Sequence, residues 1–410
     1  MIGKELFIFI DPGYLDGIGH YENYGTQLRL EANRRGVEFW HMVNRSVPND
    51  IASIHNLTPL FIRPAFLGAV LQHPDELDFA ITAFASKLHL VCRRIISEGL
   101  QNRRIVLFMY TGHPAYLPSL VEVLNDPLFH DLNISCYFNL FYVDNGFARK
   151  VDCAGYIKTL SFLGLELEKR DLGQKIFLCA DSERIRNIYE PYFERPISLI
   201  PIPLTQGKPV EVSEEERKLT SQVIIGFLGY THVKQGYPFI CRLYYDLLCS
   251  TDLINVKLCV RHNIFNADPS NAENLRDLLS RKERIENFIN YLSPSEYVSL
   301  LDKCDILLIP HSQEEYPVQT SGMFIDALSR GKIVVVPENT WLSDQLCVYG
   351  AGTTFGGTSY ENFYEAVKRT VQNLPELRRD RFRNLKEFCS YHSARSLFDS
   401  LLQTPDVRVT

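Results

Sequence analysis

Short apolar runs alternating with helical patterns along the whole chain constrain the fold more than any other feature of this sequence. Leu6 to Ile10, Glu38 to Val43, Arg104 to Tyr110, Ile134 to Phe141 and Lys175 to Ala180 read as strands, and helical patterns from about Tyr21 to Arg35, Leu77 to Glu98 and Ser182 to Phe193 alternate with them. A further helix is expected near Gly155. Apolar strands linked by helices are what a parallel sheet with crossover connections requires. The cycle restarts at Val223 to Gly229 and continues through Val256 to Val260, Asn287 to Tyr291, Asp305 to Pro310 and Ile333 to Pro337. Between the two cycles lie the proline-containing run Ile197 to Leu204 and the polar stretch Thr205 to Arg217, which read as a linker.

A chain of 410 residues exceeds one ordinary core. The expected architecture is α/β, with two Rossmann-like doubly wound domains facing across a cleft. The first spans 1–204 and the second 205–385. The helical pattern from Glu376 to Leu402 predicts a C-terminal helix, within 386–410, that crosses back to the first domain. Ligands of open parallel sheets sit beyond the carboxyl ends of the strands, so the cleft is the expected site.

Charge and cysteine usage narrow the function. The formal net charge of −6 argues against nucleic acid as a partner, because phosphate neutralisation leaves a basic stripe. Ten Cys scattered among apolar residues, without a Cys-x-x-Cys pair, suit reduced thiols in a cytoplasmic protein better than zinc or disulfides. The N-terminus reads as a first strand rather than a signal peptide, and no apolar run approaches about 18 residues, so no spanning helix is expected. Peripheral contact with the inner face of a membrane stays open.

Several common chemistries lack their sequence signal. Gly17-Ile-Gly19 is not completed to a dinucleotide fingerprint, and no Gly-x-x-x-x-Gly-Lys-Ser/Thr, His-Glu-x-x-His or Gly-x-Ser-x-Gly occurs. Asp-x-Asp, which would suit a metal-bridged diphosphate, is also missing. A bound diphosphate would have to be neutralised by cations and backbone amides, without a metal or other cofactor.

The segment Tyr316 to Gly331 offers that environment. It predicts a loop turning on Thr320-Ser321-Gly322 into a short helix with Asp326 one turn in, ending at Gly331 before the strand Ile333 to Pro337. A helix start presents unpaired N–H groups to a phosphate, and a carboxylate such as Asp326 can accept from a sugar hydroxyl. The competing reading of Thr320-Ser321 is an ordinary helix cap. Lys234 and Arg261 follow the first two strands of the second cycle, where cations balance a diphosphate, though each also reads as a solvated charge. His113, in Tyr110-Thr-Gly-His-Pro114, is a candidate donor to a sugar or phosphate, or else a turn histidine. His232, His262 and His311 lie near strand ends without a distinct role.

Taken in order and spacing, these motifs resemble the retaining glycosyltransferases of the GT-B fold, the group 1 or family 4 class that uses nucleotide sugars. The resemblance rests on Gly226-Phe-Leu-Gly229 with Lys234 and Gly236, on Asp305 to Pro310, on Tyr316 through Pro337, and on Gly17-Ile-Gly19-His20-Tyr21 with Tyr24 as an acceptor-side loop. It implies transfer of a hexose-like sugar from a nucleoside diphosphate to a saccharide or lipid-linked acceptor, with retention and without metal.

In that family two glutamates mark the donor site. The second falls here on Asp326, matching the ribose contact, and the first on Val318, which cannot accept a hydrogen bond. Glu315, Tyr316 or Gln319 would then reach the sugar. The family's lysine before the glycine is replaced by Gln235, with Lys234 one residue early. By the same resemblance Gly229 and the amides near Ser321 and Gly322 line the diphosphate, and the base lies near Leu292. Lys234, Arg261 and His113 form the catalytic set, and Gly17, Gly19 and His20 meet the acceptor. Two alternatives stand beside this reading: a nucleotide-sugar epimerase, for which no acid and base pair is evident, and a non-catalytic nucleotide-sugar binder or scaffold.

Overall fold

The computed structural model describes residues 5–15, 20–62, 74–141, 175–193, 195–204, 222–262, 272–289 and 292–402, with only the backbone at 20, 21 and 74–78. The chain divides into two compact units, Met1–Thr205 with Ser393–Thr410, and Gln206–His392. The expected helix near Gly155 lies outside the described residues.

The first unit is built on a seven-stranded sheet, all of whose pairings are parallel. Its strands are β1 (Glu5–Asp11), β2 (Glu38–Asn44), β3 (Thr58–Phe61), β4 (Arg104–Gly112), β5 (Ile134–Leu140), β6 (Ile176–Ala180) and β7 (Ser198–Leu199), in the order β3-β2-β1-β4-β5-β6-β7. Leu6, Phe7, Ile8, Phe9 and Ile10 are all 0% exposed, so consecutive side chains of β1 are covered on both faces. That explains why the strand reads as an unbroken apolar run.

The second unit has six parallel strands: β8 (Val223–Phe227), β9 (Val256–His262), β10 (Ile285–Ile289), β11 (Ile306–Leu308), β12 (Ile333–Pro337) and β13 (Ala351–Phe355). Their order, β10-β9-β8-β11-β12-β13, reverses direction between β8 and β11. Counted from its own first strand this is the 3-2-1-4-5-6 order of the Rossmann fold, whose ligands bind at the reversal. Gly226 allows the close approach of flanking segments there, because a Cβ on it would lie 2.4 Å from Cys304 Sγ.

The C-terminal pattern is not one helix. Leu374–Asp380, Leu385–Tyr391 and Ala394–Leu402 are separate, and Asn384 between the first two takes a left-handed φ of 52°. Leu385–Tyr391 packs in the second unit, where the Phe388 ring meets Tyr349 and Cys389 Sγ contacts Ser329 O. Ala394–Leu402 packs in the first unit, stacking Phe398 on Phe7 at 4.6 Å and pairing Asp399 with Arg35 at 2.7 Å.

Candidate functional site

The loops that leave β8 and β11 meet at the reversal of the second sheet. After β8 the backbone passes Gly229, makes a tight turn at Val233–Gln235 and enters the helix Tyr237–Cys249 through Gly236. Gly236 has φ +79°, and a Cβ there would lie 2.2 Å from Pro310 O, so this position needs glycine for both conformation and space. The two loops are joined by a hydrogen bond from Ser312 N–H to Lys234 O, 2.8 Å.

Lys234 and Glu315, expected to act on different ends of a donor, are paired with each other at 3.0 Å. Lys234 is nevertheless 58% exposed, so the pair is a weak, screened one. Gln235 is turned inward. Its Oε1 accepts from Tyr230 N–H at 2.7 Å and lies 3.1 Å from where a Cβ of Gly229 would stand. Its side chain neighbours Tyr316, whose phenol is held above its ordinary pKa mainly by burial. The Tyr316 ring lies 5.0 Å from that of His311, whose pKa burial depresses to about 4.

Arg261, on β9, donates through Nη1 to Leu228 O at 3.4 Å, while its buried Nε has no hydrogen-bond partner among the described residues. It neighbours Tyr297 of the helix Pro294–Lys303. The Tyr297 hydroxyl is pushed well above its usual pKa, first by burial and then by the neighbouring Asp326 carboxylate. Arg261, Tyr297 and Asp326 thus converge from three elements. Asp326 is 6% exposed, so any sugar hydroxyl reaching it would meet a largely buried carboxylate that lies beside Tyr297.

Ser321 caps the helix Gly322–Ser329, accepting from Phe324 N–H at 3.3 Å. Gly322 beside it borders open space, and Thr320 is half-buried. Val318 is buried, with its N–H 3.4 Å from Gln319 Oε1. Leu292 is half-buried where the chain passes from β10 toward the next helix. That helix opens with a capping box in which Glu296 Oε2 accepts from Ser293 N–H at 2.8 Å, so that amide is already engaged.

In the first unit His113 lies in the turn after β4. Its Nδ1 accepts from Ala115 N–H at 3.1 Å, which places the proton of the neutral ring on Nε2, and burial depresses its pKa to about 4. Gly17 and Gly19 lie outside the described residues, and His20 begins the helix His20–Arg35. The Tyr24 ring of this helix stacks on Tyr110 at 4.0 Å.

Three features escaped the sequence reading. Tyr297 carries no motif, although the Ser-Pro-x-Glu cap before it fixes where its helix begins. Gln235 was visible only as a replaced lysine. His41 and Asp11, 3.9 Å apart and almost wholly buried, lie inside the run Glu38 to Val43 and directly after the run Leu6 to Ile10, and a polar residue within or closing such a run was the available signal. Burial raises the Asp11 pKa and lowers that of His41, so both are held toward their neutral forms.

No family model and no curated protein matches the chain in sequence. Solved structures match it over nearly its whole length. WaaG, a glycosyltransferase involved in lipopolysaccharide biosynthesis, aligns with a TM-score of 0.60 at 14% identity, covering 97% of this chain and 100% of its own. Sucrose-phosphate synthase from Thermosynechococcus elongatus gives 0.62 at 13%, covering 97% and 98%. Anabaena HepE in complex with UDP-glucose gives 0.58 at 10%, again covering 97% and 98%. The chain therefore has the two-unit α/β fold of the GT-B glycosyltransferases. At these identities the likeness is one of fold.

Proposed function

We propose that this protein is a glycosyltransferase that moves a sugar from a nucleoside diphosphate to a saccharide or lipid-linked acceptor, with retention and without a metal ion. The observation that carries this reading is the convergence of Arg261, Tyr297 and Asp326 beside the β8 and β11 loops, at the reversal where Rossmann-type sheets receive nucleotides. The HepE structure with UDP-glucose supports a nucleotide sugar as the ligand class.

In this reading Arg261 and the loop amides neutralise the diphosphate as it departs, and Asp326 with Tyr297 receives the ribose. Lys234 exchanges Glu315 for a phosphate oxygen. The first unit holds the acceptor, and the departing phosphate takes the acceptor's proton, so no side-chain base is required. An electrostatic contact that strengthens as charge develops on the leaving group contributes to rate more than to ground-state binding.

The test is release of free nucleoside diphosphate from UDP-, GDP- and ADP-glucose in the presence of candidate acceptors. Arg261→Ala is expected to lower turnover by about a hundredfold. Binding of a nucleoside diphosphate without turnover of any donor would assign the chain to the non-catalytic binders. The absence of both binding and release across the panel would overturn the reading altogether.

A further inference from the structure

Within the reading of a nucleotide-sugar site, we propose that Gln235 is a built-in competitor for the diphosphate and thereby sets the affinity of the donor site. A loop amide at the carboxyl end of the first strand of a Rossmann sheet is the kind of donor a phosphate oxygen takes. In this structure the Tyr230 amide of that loop points at a side-chain carbonyl instead, Gln235 Oε1, at 2.7 Å.

Three features hold the carboxamide there. Gly229 leaves the space, since a Cβ would come within 3.1 Å of the same oxygen. The Tyr316 hydroxyl stands beside the Gln235 side chain from the opposing loop. The left-handed Gly236 sets the turn from which Gln235 projects back over residues 229 and 230. With Oε1 accepting from the backbone at 2.7 Å, the carboxamide oxygen is the engaged end of the group, and its NH₂ end is left toward Tyr316.

Gln235 is a neutral acceptor, whereas a diphosphate oxygen is charged and hydrogen-bonds more strongly. A diphosphate therefore displaces Gln235, but its net gain is reduced by the hydrogen bond that must first be broken. The residue acts on the diphosphate end only. The affinity of a nucleoside lacking phosphates does not depend on it.

The measurement is calorimetric titration of the full chain with UDP, GDP and ADP, and with uridine, guanosine and adenosine as controls. Wild type is compared with Gln235→Ala, Gln235→Glu and Tyr316→Phe. Removing the competitor in Gln235→Ala should tighten the diphosphate by about three- to tenfold, the range expected for one hydrogen bond. Gln235→Glu keeps an acceptor for the amide but adds a negative charge, and should weaken the diphosphate below wild type. Tyr316→Phe removes the polar neighbour of the carboxamide and should fall between wild type and Gln235→Ala. None of the three should change nucleoside affinity.

A diphosphate that binds equally or more weakly to Gln235→Ala than to wild type overturns the proposal while leaving the donor site intact. So does a parallel change in nucleoside affinity. Binding seen in Gln235→Ala but not in wild type supports it. If neither protein binds any nucleoside diphosphate, this proposal and the donor reading fall together. Comparing melting temperatures of the free proteins separates a local effect from misfolding.

Discussion

The nitrogen of His113 nearest its own turn is committed to Ala115 N–H, and burial holds the ring neutral down to a pKa of about 4. The unfolded ring titrates near 6.5, so the folded state binds this proton less readily. Its contribution to stability is complete above about pH 6.5 and is lost as pH falls toward 4, the loss reaching about 2 kcal/mol by pH 5. His113→Asn keeps an acceptor for the turn without the titration. It should flatten the difference in urea midpoint between pH 7 and 5 relative to wild type; an unchanged slope would show that His113 does not control it. The sequence showed both the ligand and the turn reading of this histidine, but not which one burial favours. Glu315 and Lys234 illustrate the same limit: each was read as a site residue, yet they are 81 positions apart and their pairing is visible only once the loops are folded.

At the scale of elements, the buried strands were legible because residues covered on both faces leave long apolar runs. β3, β7 and β13 were not singled out. β7 is two residues long, while β3 (TPLF) and β13 (AGTTF) keep partly exposed positions and lack that continuity. The C-terminal pattern was read as one helix because helical periodicity survives the turn at Asn384. Loop geometry was legible at its glycines rather than at its functional side chains. Gly236→Ala tests how much the β8 loop depends on one of them. An alanine there must adopt φ near +79° and meet Pro310 O at 2.2 Å, so a loss of at least about 2 kcal/mol is expected by chemical denaturation. A loss below about half that value would mean that the turn relaxes without the left-handed residue.

For the whole molecule, two α/β units were readable from the repeated strand and helix cycle, whereas the contact of Ala394–Leu402 with the first unit depends on side chains far apart in sequence. Leu397, Phe398 and Leu401 of this helix are each 0% exposed. Deleting the chain beyond His392 should cost the first unit about 5 kcal/mol, since each such side chain contributes roughly 1.5–3 kcal/mol by burial. The expected readout is loss of hydrogen-exchange protection in β1 and the helix His20–Arg35; full protection after truncation would refute the estimate. The same contact sets an order of assembly during synthesis. The second unit is one continuous stretch, Gln206–His392, but the first needs a helix made after all of it. Of the two units, the one whose synthesis starts earlier is therefore the later to be finished, and it must wait, with the Phe398 side of β1 uncovered, for the translation of nearly two hundred further residues.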